Sequence, residues 1–505
     1  MSSSDSLAGA GTIARASWTI WRRHVGTSLG VGRRAVDAGI VGAVVLCAAL
    51  AALVSALVIG TIGAAGALPA SVDHLPFTRI TAAGVLIGGT LPQLLLAATR
   101  PRSTALGDLA AVLPVGRSAL ALGERMPSVL LGAGFALVLS APLAAFLGLL
   151  FQTEPARAVG AIGAHLVLLA FAAVACPVAF ELVYAGACRL RLPHAYATGA
   201  AAIVLIVTLV AVAGPALVPR PYETSGLATL SPVEAVAVLA ASDPTAPILA
   251  AAASLIAWTL LAAALAVLVV RHPPRARPVD ITRALVGMRM PRSERAAAIA
   301  LHALPLARLP QLLLLGAGPV LVSVALATPA ARDFPAISEP LTGVPLVAPF
   351  AIAMFAFGLT HPNSWWVRAT GRTHRTIAGE RLAAGALVAA PSVLASAVLL
   401  VATGVVDPGT AALRVSLGLV LWLAASVAGI LTPWSQLSPL ATTITSAVSF
   451  LLFAAAAIPL QLAVDTWFPG SVLATAVAVT VSALLLLALW AGLTRRRGDD
   501  DLEIA

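Results

Sequence analysis

Two polar stretches interrupt the apolar runs of this 505-residue chain, LPVGRSALALGERMPSVL at residues 113–130 and RATGRTHRTIAGERLAAGAL at residues 368–387. Both read G-R-[S/T], then four or five residues, then G-E-R, and an apolar run follows each. Gly371 follows Gly116 by 255 residues, and Gly379 follows Gly123 by 256. The repeat predicts two tandem halves, residues 1–280 and 281–505. Because each stretch is the densest mixture of charge between two apolar spans of its half, we expect a soluble partner to bind there, once per half.

The composition excludes an ordinary soluble domain, because 60% of the residues are apolar and 10% are charged. All 31 basic residues are arginine, and the abundance of Ala, Gly, Pro and Arg indicates a GC-rich coding sequence. The three cysteines lie in or beside apolar runs, which favours a role as small apolar fillers over disulfides or a zinc site. The composition therefore predicts an all-α, polytopic membrane protein.

Apolar runs long enough to cross a hydrocarbon core of about 30 Å number twelve. In the first half they cover residues 37–59, 80–98, 127–151, 159–186, 195–218 and 246–270, and in the second 309–327, 343–360, 383–404, 410–432, 441–463 and 471–493. With the N-terminus inside, 26 arginines fall in inner segments and five in outer ones, which predicts that both termini are cytoplasmic. The net charge of +10 then faces anionic lipid, and no nucleic-acid partner is expected.

Short amphipathic segments accompany the spans. TIARASWTIWRRHVG, residues 12–26, predicts an interfacial helix before the first span, and ERAAAIALHALP, residues 294–305, is its candidate counterpart in the second half. Ser231, Pro232 and Glu234 stand at the N-cap, N1 and N3 positions of a further predicted helix, on the outer side.

The inner segment before the first G-E-R predicts a short transverse helix over residues 104–112. Leu106, Leu109 and Leu113 would share one face of that helix, and Asp108 would be exposed. The second segment adds adjacent tryptophans, which fit an interfacial aromatic belt as well as partner contact. We therefore expect a partner-contact and anchoring set of Leu106, Asp108, Leu109, Arg117, Glu124, Arg125, Trp365, Trp366, Arg372, Glu380 and Arg381. Within that set, Arg125 and Arg381 are expected to reach lipid phosphates, and Glu124 and Glu380 to face the polar loop or the partner.

The fourth span holds His165 and Glu181, the most deeply placed ionisable residues. An intramembrane carboxylate favours a functional site. The structural alternative is that Glu181 lies near the inner end of the span and pairs with Arg189 or Arg191.

Catalytic motifs are mostly excluded. A phosphate-binding loop of the Walker A type needs a lysine, and this chain has none. H-E-x-x-H and C-x-x-C patterns are also absent from the sequence. We therefore expect no enzyme activity, no catalytic residue, no metal and no cofactor in this chain.

The interfacial helix, the basic inner loop with L-P-V-G-R and then G-E-R between spans two and three, and the outer helix between spans five and six resemble a type-2 ATP-binding-cassette exporter permease. The resemblance implies a bacterial plasma-membrane protein that moves a hydrophobic or amphiphilic substrate outward. It also implies two copies of a separate cytoplasmic ATPase subunit, which would carry the ATP and Mg, with the repeated loops as coupling elements. Two other classes stay open, a secondary transporter with ionisable groups near the midplane and a membrane-embedded lipid-modifying enzyme.

Overall fold

The computed structural model describes most of the chain, and the described residues are helical with no strand among them. They are residues 3–64, 74–99, 116–213, 231–241, 246–271, 290–309, 312–328, 341–360, 372–434, 439–468 and 470–500.

The first half contributes eight of the described helices. They are α1 (Ser3–Leu29), α2 (Arg33–Ala64), α3 (His74–Thr99), α4 (Arg117–Leu150), α5 (Pro155–Arg189), α6 (His194–Ala213), α7 (Pro232–Ala241) and α8 (Ala246–Arg271).

The described helices of the second half are less regular. They are α9 (Glu294–Ala307), a π-helical turn (Leu313–Ala317) leading into α10 (Gly318–Leu326), α11 (Gly343–Val347), a 3-10 helix (Ala348–Phe355), α12 (Ala356–Thr360), α13 (His374–Ala402), α14 (Pro408–Leu431), α15 (Pro439–Trp467) and α16 (Val472–Asp500).

Ten of the described helices are long and apolar enough to cross a membrane, six before residue 280 and four after it. The chain is therefore a multi-pass helical membrane protein. The predicted count of twelve is not confirmed, because the seventh and eighth predicted spans fall on the shorter apolar helices Leu315–Leu326 and Gly343–Leu359.

The chain folds into two compact units, each of which packs mainly against itself. Unit 1 comprises residues 1–18, 44–193 and 200–276, and unit 2 comprises residues 19–43, 194–199 and 277–505. The core of unit 1 is built from α3, α5, α7 and α8 and is rich in alanine, which allows helices to approach closely. The predicted outer helix is present as α7, and seven of its ten residues are buried.

Helix α1 includes the predicted interfacial segment and is longer than predicted. Its residues Ala10, Ile13, Ser17, Trp21 and Val25 recur every three or four positions, and all are buried. This stripe therefore faces protein. Ile20, which the amphipathic pattern places on the apolar face, is exposed.

In unit 2, the 3-10 helix packs into a glycine-lined groove on α14. A methyl group added at Gly418 would lie 3.0 Å from the carbonyl oxygen of Leu346, and one added at Gly429 would lie 2.8 Å from that of Met354. The eight residue steps from Leu346 to Met354, mostly of 3-10 geometry, rise about 16 Å, which is also about the rise of the eleven α-helical steps from Gly418 to Gly429. Because of the 3-10 geometry, eight residue steps cover the same length as eleven steps of α14, so both contacts with the glycines can form.

Helices α9 and α10 run parallel to α13 along its length. The Arg372 side chain, just before α13, binds that of Glu294, His302 faces Glu380, and the Ser392 hydroxyl donates to the carbonyl of Gly316 at 2.6 Å. Leu326 joins the same apolar cluster as Leu400. The π-helical turn departs from regular α-helical geometry just before α10.

Candidate functional site

The first G-E-R motif is helical, contrary to the prediction of a loop. Gly116 is the N-cap of α4, with extended backbone (φ −62°, ψ 134°), so Gly123 lies about two turns inside the helix. Helix α1 passes closely over this point. A methyl group added at Gly123 would lie 2.6 Å from the carbonyl oxygen of Ala10 and 2.7 Å from Cβ of Ile13. Glycine is therefore the residue that this helix crossing requires.

Arg125 of the first motif forms an ion pair with Glu181 of α5. Arg125 Nη2 lies 3.7 Å from Glu181 Oε2, and only 7% of the Glu181 side chain is exposed. The sequence predicts a pair between Glu181 and Arg189 or Arg191 of its own helix, whereas this partner comes from α4. The ion pair fastens α4 to α5 within unit 1.

The second G-E-R motif also lies in a helix. The Thr373 hydroxyl caps α13 by accepting a hydrogen bond from the backbone N–H of Thr376 at 3.3 Å. Glu380 is therefore about two turns into α13. The two motifs thus occupy equivalent positions in their helices.

Glu380 is the centre of a charged cluster between α9 and α13. Arg372 donates from Nη1 to Glu380 Oε1 and from Nη2 to Glu294 Oε1, the latter at 2.7 Å. His302 Nε2 lies 3.7 Å from the other oxygen of Glu380, and both of these side chains are buried. The cluster joins the first two turns of α13 to α9.

Of the two alternatives expected for Glu380, the polar loop or the partner, the structure shows the polar loop, whereas the expectation that Arg381 reaches lipid phosphates is wrong. The side chain of Glu380 is 4% exposed and forms an ion pair with Arg372. Arg381 is also buried, and its guanidinium carbon lies 5.5 Å from the ring centroid of Phe357. Both residues therefore make their contacts inside unit 2.

Burial, together with the nearby charges of Arg381 and Arg372, lowers the pKa of His302 to about 4. The His302 ring is therefore neutral at physiological pH. The hydrogen bond with Glu294 raises the pKa of Arg372, so this guanidinium stays charged.

Several predicted contact residues lie outside the described residues. They are Leu106, Asp108, Leu109, Trp365 and Trp366, and the side chain of Arg117 is likewise not described. The coupling role of the predicted set stays a prediction.

His165 and Glu181, the predicted intramembrane site, do not come together. Both lie on α5, 16 positions apart, which separates them by about 24 Å along the helix. His165 Nδ1 must donate to the carbonyl of Ala161, at 2.7 Å, and its Nε2 faces the hydroxyl of Thr81 at 3.0 Å. The His165 ring thus ties α5 to α3.

A cavity of about 20 Å³ adjoins His165 and is lined mainly by apolar side chains, with Ser140 as a second polar neighbour. This volume is enough for about one water molecule. It is too small to hold a transported substrate.

Sequence reasoning missed His302, Glu294 and the ion pair between Arg79 and Glu234, which holds α7 on α3 at 2.8 Å. The only available signal was the common offset of 78 residues between Glu294 and Arg372 and between His302 and Glu380. Parallel neighbouring helices produce such a constant offset, but one sequence gives no reason to pair these segments. Within the described part of the chain, no group of three His, Cys, Asp or Glu residues is placed to hold a metal ion.

Comparison with protein-family models, with curated proteins and with solved structures finds no match to this chain.

Proposed function

We propose that the chain is the permease subunit of an ATP-binding-cassette exporter, which moves a hydrophobic or amphiphilic substrate outward with energy from a separate ATPase. The observation that carries this proposal is a shared arrangement in the two units. Each G-E-R motif lies two turns into a long apolar helix, and an amphipathic helix runs along those first turns in contact with them. Such a junction between an amphipathic helix and the start of a long helix can transmit a force applied at the membrane surface to a spanning helix.

Both junctions must lie on the same side of the membrane if one pair of ATPase subunits is to contact them. Four candidate spans, from α4 to α8, separate the first motif from α9. The second motif is therefore on the same side only if α9–α10 and residues 343–359 both cross the membrane or neither does.

Two crossings fit the lengths of these segments. Helices α9 and α10 together follow α13 from its start to Leu400, so they cover the same depth as a candidate span. Residues 343–359 rise about 30 Å because eight of them have 3-10 geometry. This length matches the hydrocarbon core of about 30 Å. The proposed topology accordingly has twelve crossings, with both termini and both motifs cytoplasmic.

The ATPase is proposed to be a separate subunit because this chain contains no lysine for a phosphate-binding loop. Two copies are proposed, one for each junction. When ATP draws the two subunits together, they would push the junctions and shift the spanning helices between an inward-facing and an outward-facing arrangement.

A native pull-down of the full chain tests the proposal. We expect an ATPase at two copies per chain by native mass spectrometry, and no ATP hydrolysis by the chain alone. The double substitution Asp108→Arg and Glu124→Arg should weaken ATPase association while membrane insertion is retained. Glu154→Arg is the control, because Glu154 is an exposed carboxylate on the predicted outer side. A complex with one ATPase, or wild-type association and transport in the double variant, would rule the proposal out.

A secondary transporter is the second candidate. It is favoured by the buried hydrogen-bonded His165 in unit 1 and by the interrupted apolar helices in unit 2. Proteoliposomes with an imposed pH gradient and no ATPase distinguish the two candidates. Gradient-driven uptake that is lost in His165→Gln but kept in His302→Gln would establish the second one.

A further inference from the structure

The guanidinium of Arg372 holds two carboxylates that differ greatly in exposure. Nη1 binds Glu380, whose side chain is 4% exposed, and Nη2 binds Glu294, whose side chain is 88% exposed. A buried ion pair is costly to break, whereas an exposed pair contributes little. Arg372 therefore has one fixed partner and one that a competing anion can replace.

The Nη2 atom of Arg372, which binds the replaceable partner Glu294, lies at the depth of lipid headgroups. The candidate span of α13 begins at Arg375, only three residues later. Arg372 and the N-cap Thr373 precede the helix, so the backbone of Arg372 lies at most about 8 Å before the start of the span, and its side chain turns back to Glu380. The headgroup layer extends about 5–7 Å beyond each face of the hydrocarbon core. A lipid phosphate is thus the oxyanion that is always present at this level.

The charges around the pair favour a lipid anion over a carboxylate. Arg292, Arg295 and Arg375 are exposed at the starts of α9 and α13. An anionic leaflet attracts such arginines and repels the carboxylate of Glu294. A phosphate also offers oxygens that suit the planar fork of a guanidinium.

We propose that Arg372 is a binding position for the phosphate of an anionic phospholipid, and that Glu294 occupies it when no such lipid is bound. The proposal does not depend on an ATPase or on the transport direction. Its failure would therefore leave the proposed function untouched.

The test measures the melting temperature of the full chain in detergent during titration with phosphatidylglycerol and, separately, phosphatidylcholine. Phosphatidylglycerol should raise the melting temperature of the wild-type protein, and phosphatidylcholine should not. Glu294→Gln removes the competing carboxylate, so the half-maximal concentration of phosphatidylglycerol should fall at least threefold. Asp37→Asn is the matched control, because Asp37 is also a partly exposed partner of an arginine, Arg22. That variant should leave the half-maximal concentration unchanged.

Arg372→Lys supplies a second variant that keeps the positive charge beside Glu380 and removes the fork. In this variant the half-maximal concentration of phosphatidylglycerol should rise at least threefold. Inorganic phosphate and soluble polyglutamate are two further probes, which distinguish the possible sources of the anion. Neither should raise the melting temperature at matched concentration.

Four results would overturn the proposal. They are an unchanged phosphatidylglycerol titration in Glu294→Gln, an equal response to phosphatidylcholine, an equal response to inorganic phosphate, and an equal response to polyglutamate. The third would indicate a site for free anions, and the fourth a site for acidic proteins.

Discussion

The two G-E-R motifs have the same sequence and the same place in their helices, yet they are held by different chemistry. In unit 1, Gly123 lets α1 approach to contact, and Arg125 pairs with Glu181. In unit 2, no described residue lies within 4 Å of a methyl group added at Gly379, and Glu380 carries the contacts to Arg372 and His302. The contact with the amphipathic helix thus depends on close backbone packing in unit 1 and on buried charge in unit 2, whereas the charge of Arg125 joins α4 to α5. A repeated motif can therefore preserve a helix position while its side chains take on different contacts.

The largest expected effect comes from Glu181→Gln. The substitution leaves the mostly buried guanidinium of Arg125 without its carboxylate, so the free energy of unfolding should fall by about 3 kcal/mol. Denaturant titration of the purified chain measures it. Glu380→Gln should cost less, because Arg372 retains Glu294. An equal or greater loss in Glu380→Gln would contradict the role assigned to the second carboxylate.

Alanine at the two motif glycines should have opposite effects. At Gly123 the added methyl group overlaps Ala10 and Ile13, and the free energy of unfolding should fall by about 2 kcal/mol. At Gly379 the methyl group meets no described residue within 4 Å, so the higher helix propensity of alanine should raise the free energy of unfolding by up to about 1 kcal/mol. Melting temperatures of the two variants check this, and changes of the same sign would show that the crossings are alike.

The smallest effect is an acid sensitivity confined to the second junction. The pKa of His302 is about 4 in the folded chain, below its ordinary value of 6.5. Protons therefore favour the unfolded chain, and stability falls as pH drops from 6.5 towards 4. Between pH 7 and pH 5.5 the contribution should be about 1 kcal/mol. The difference between wild type and His302→Gln isolates it, since other histidines contribute equally to both, and identical pH profiles would disprove it.

Much of the fold could be predicted from the sequence, because ten apolar runs are long enough to require a spanning helix whatever they pack against. The amphipathic helices α1, α7 and α9 also follow from their spacing and capping residues. The G-E-R motifs are expected in loops because charge dominates their surroundings. Gly116 and Thr373 start the helices earlier, and tertiary contacts then bury the charges.

The partners of the motifs could not be predicted from one sequence. Arg125 and Glu181 are 56 residues apart, and His302 and Glu380 are 78 apart. Which distant segments meet depends on how the helices pack, and hydropathy carries no information about that. The expectation of lipid contact for Arg381 is wrong for the same reason, since Phe357 arrives from a separate helix.

The eight-residue 3-10 helix from Ala348 to Phe355 has a consequence for how spans are recognised. A bilayer is crossed in ångströms, whereas hydropathy windows count residues. A stretched helix of 17 residues can cover the thickness that an ordinary α-helix covers with about 20. Three residues inserted after Phe350 should therefore be accommodated by relaxation to α-helical geometry, with the ends of the segment left at the same depth. Chains that differ here by three residues would look like proteins with different numbers of spans while sharing one topology.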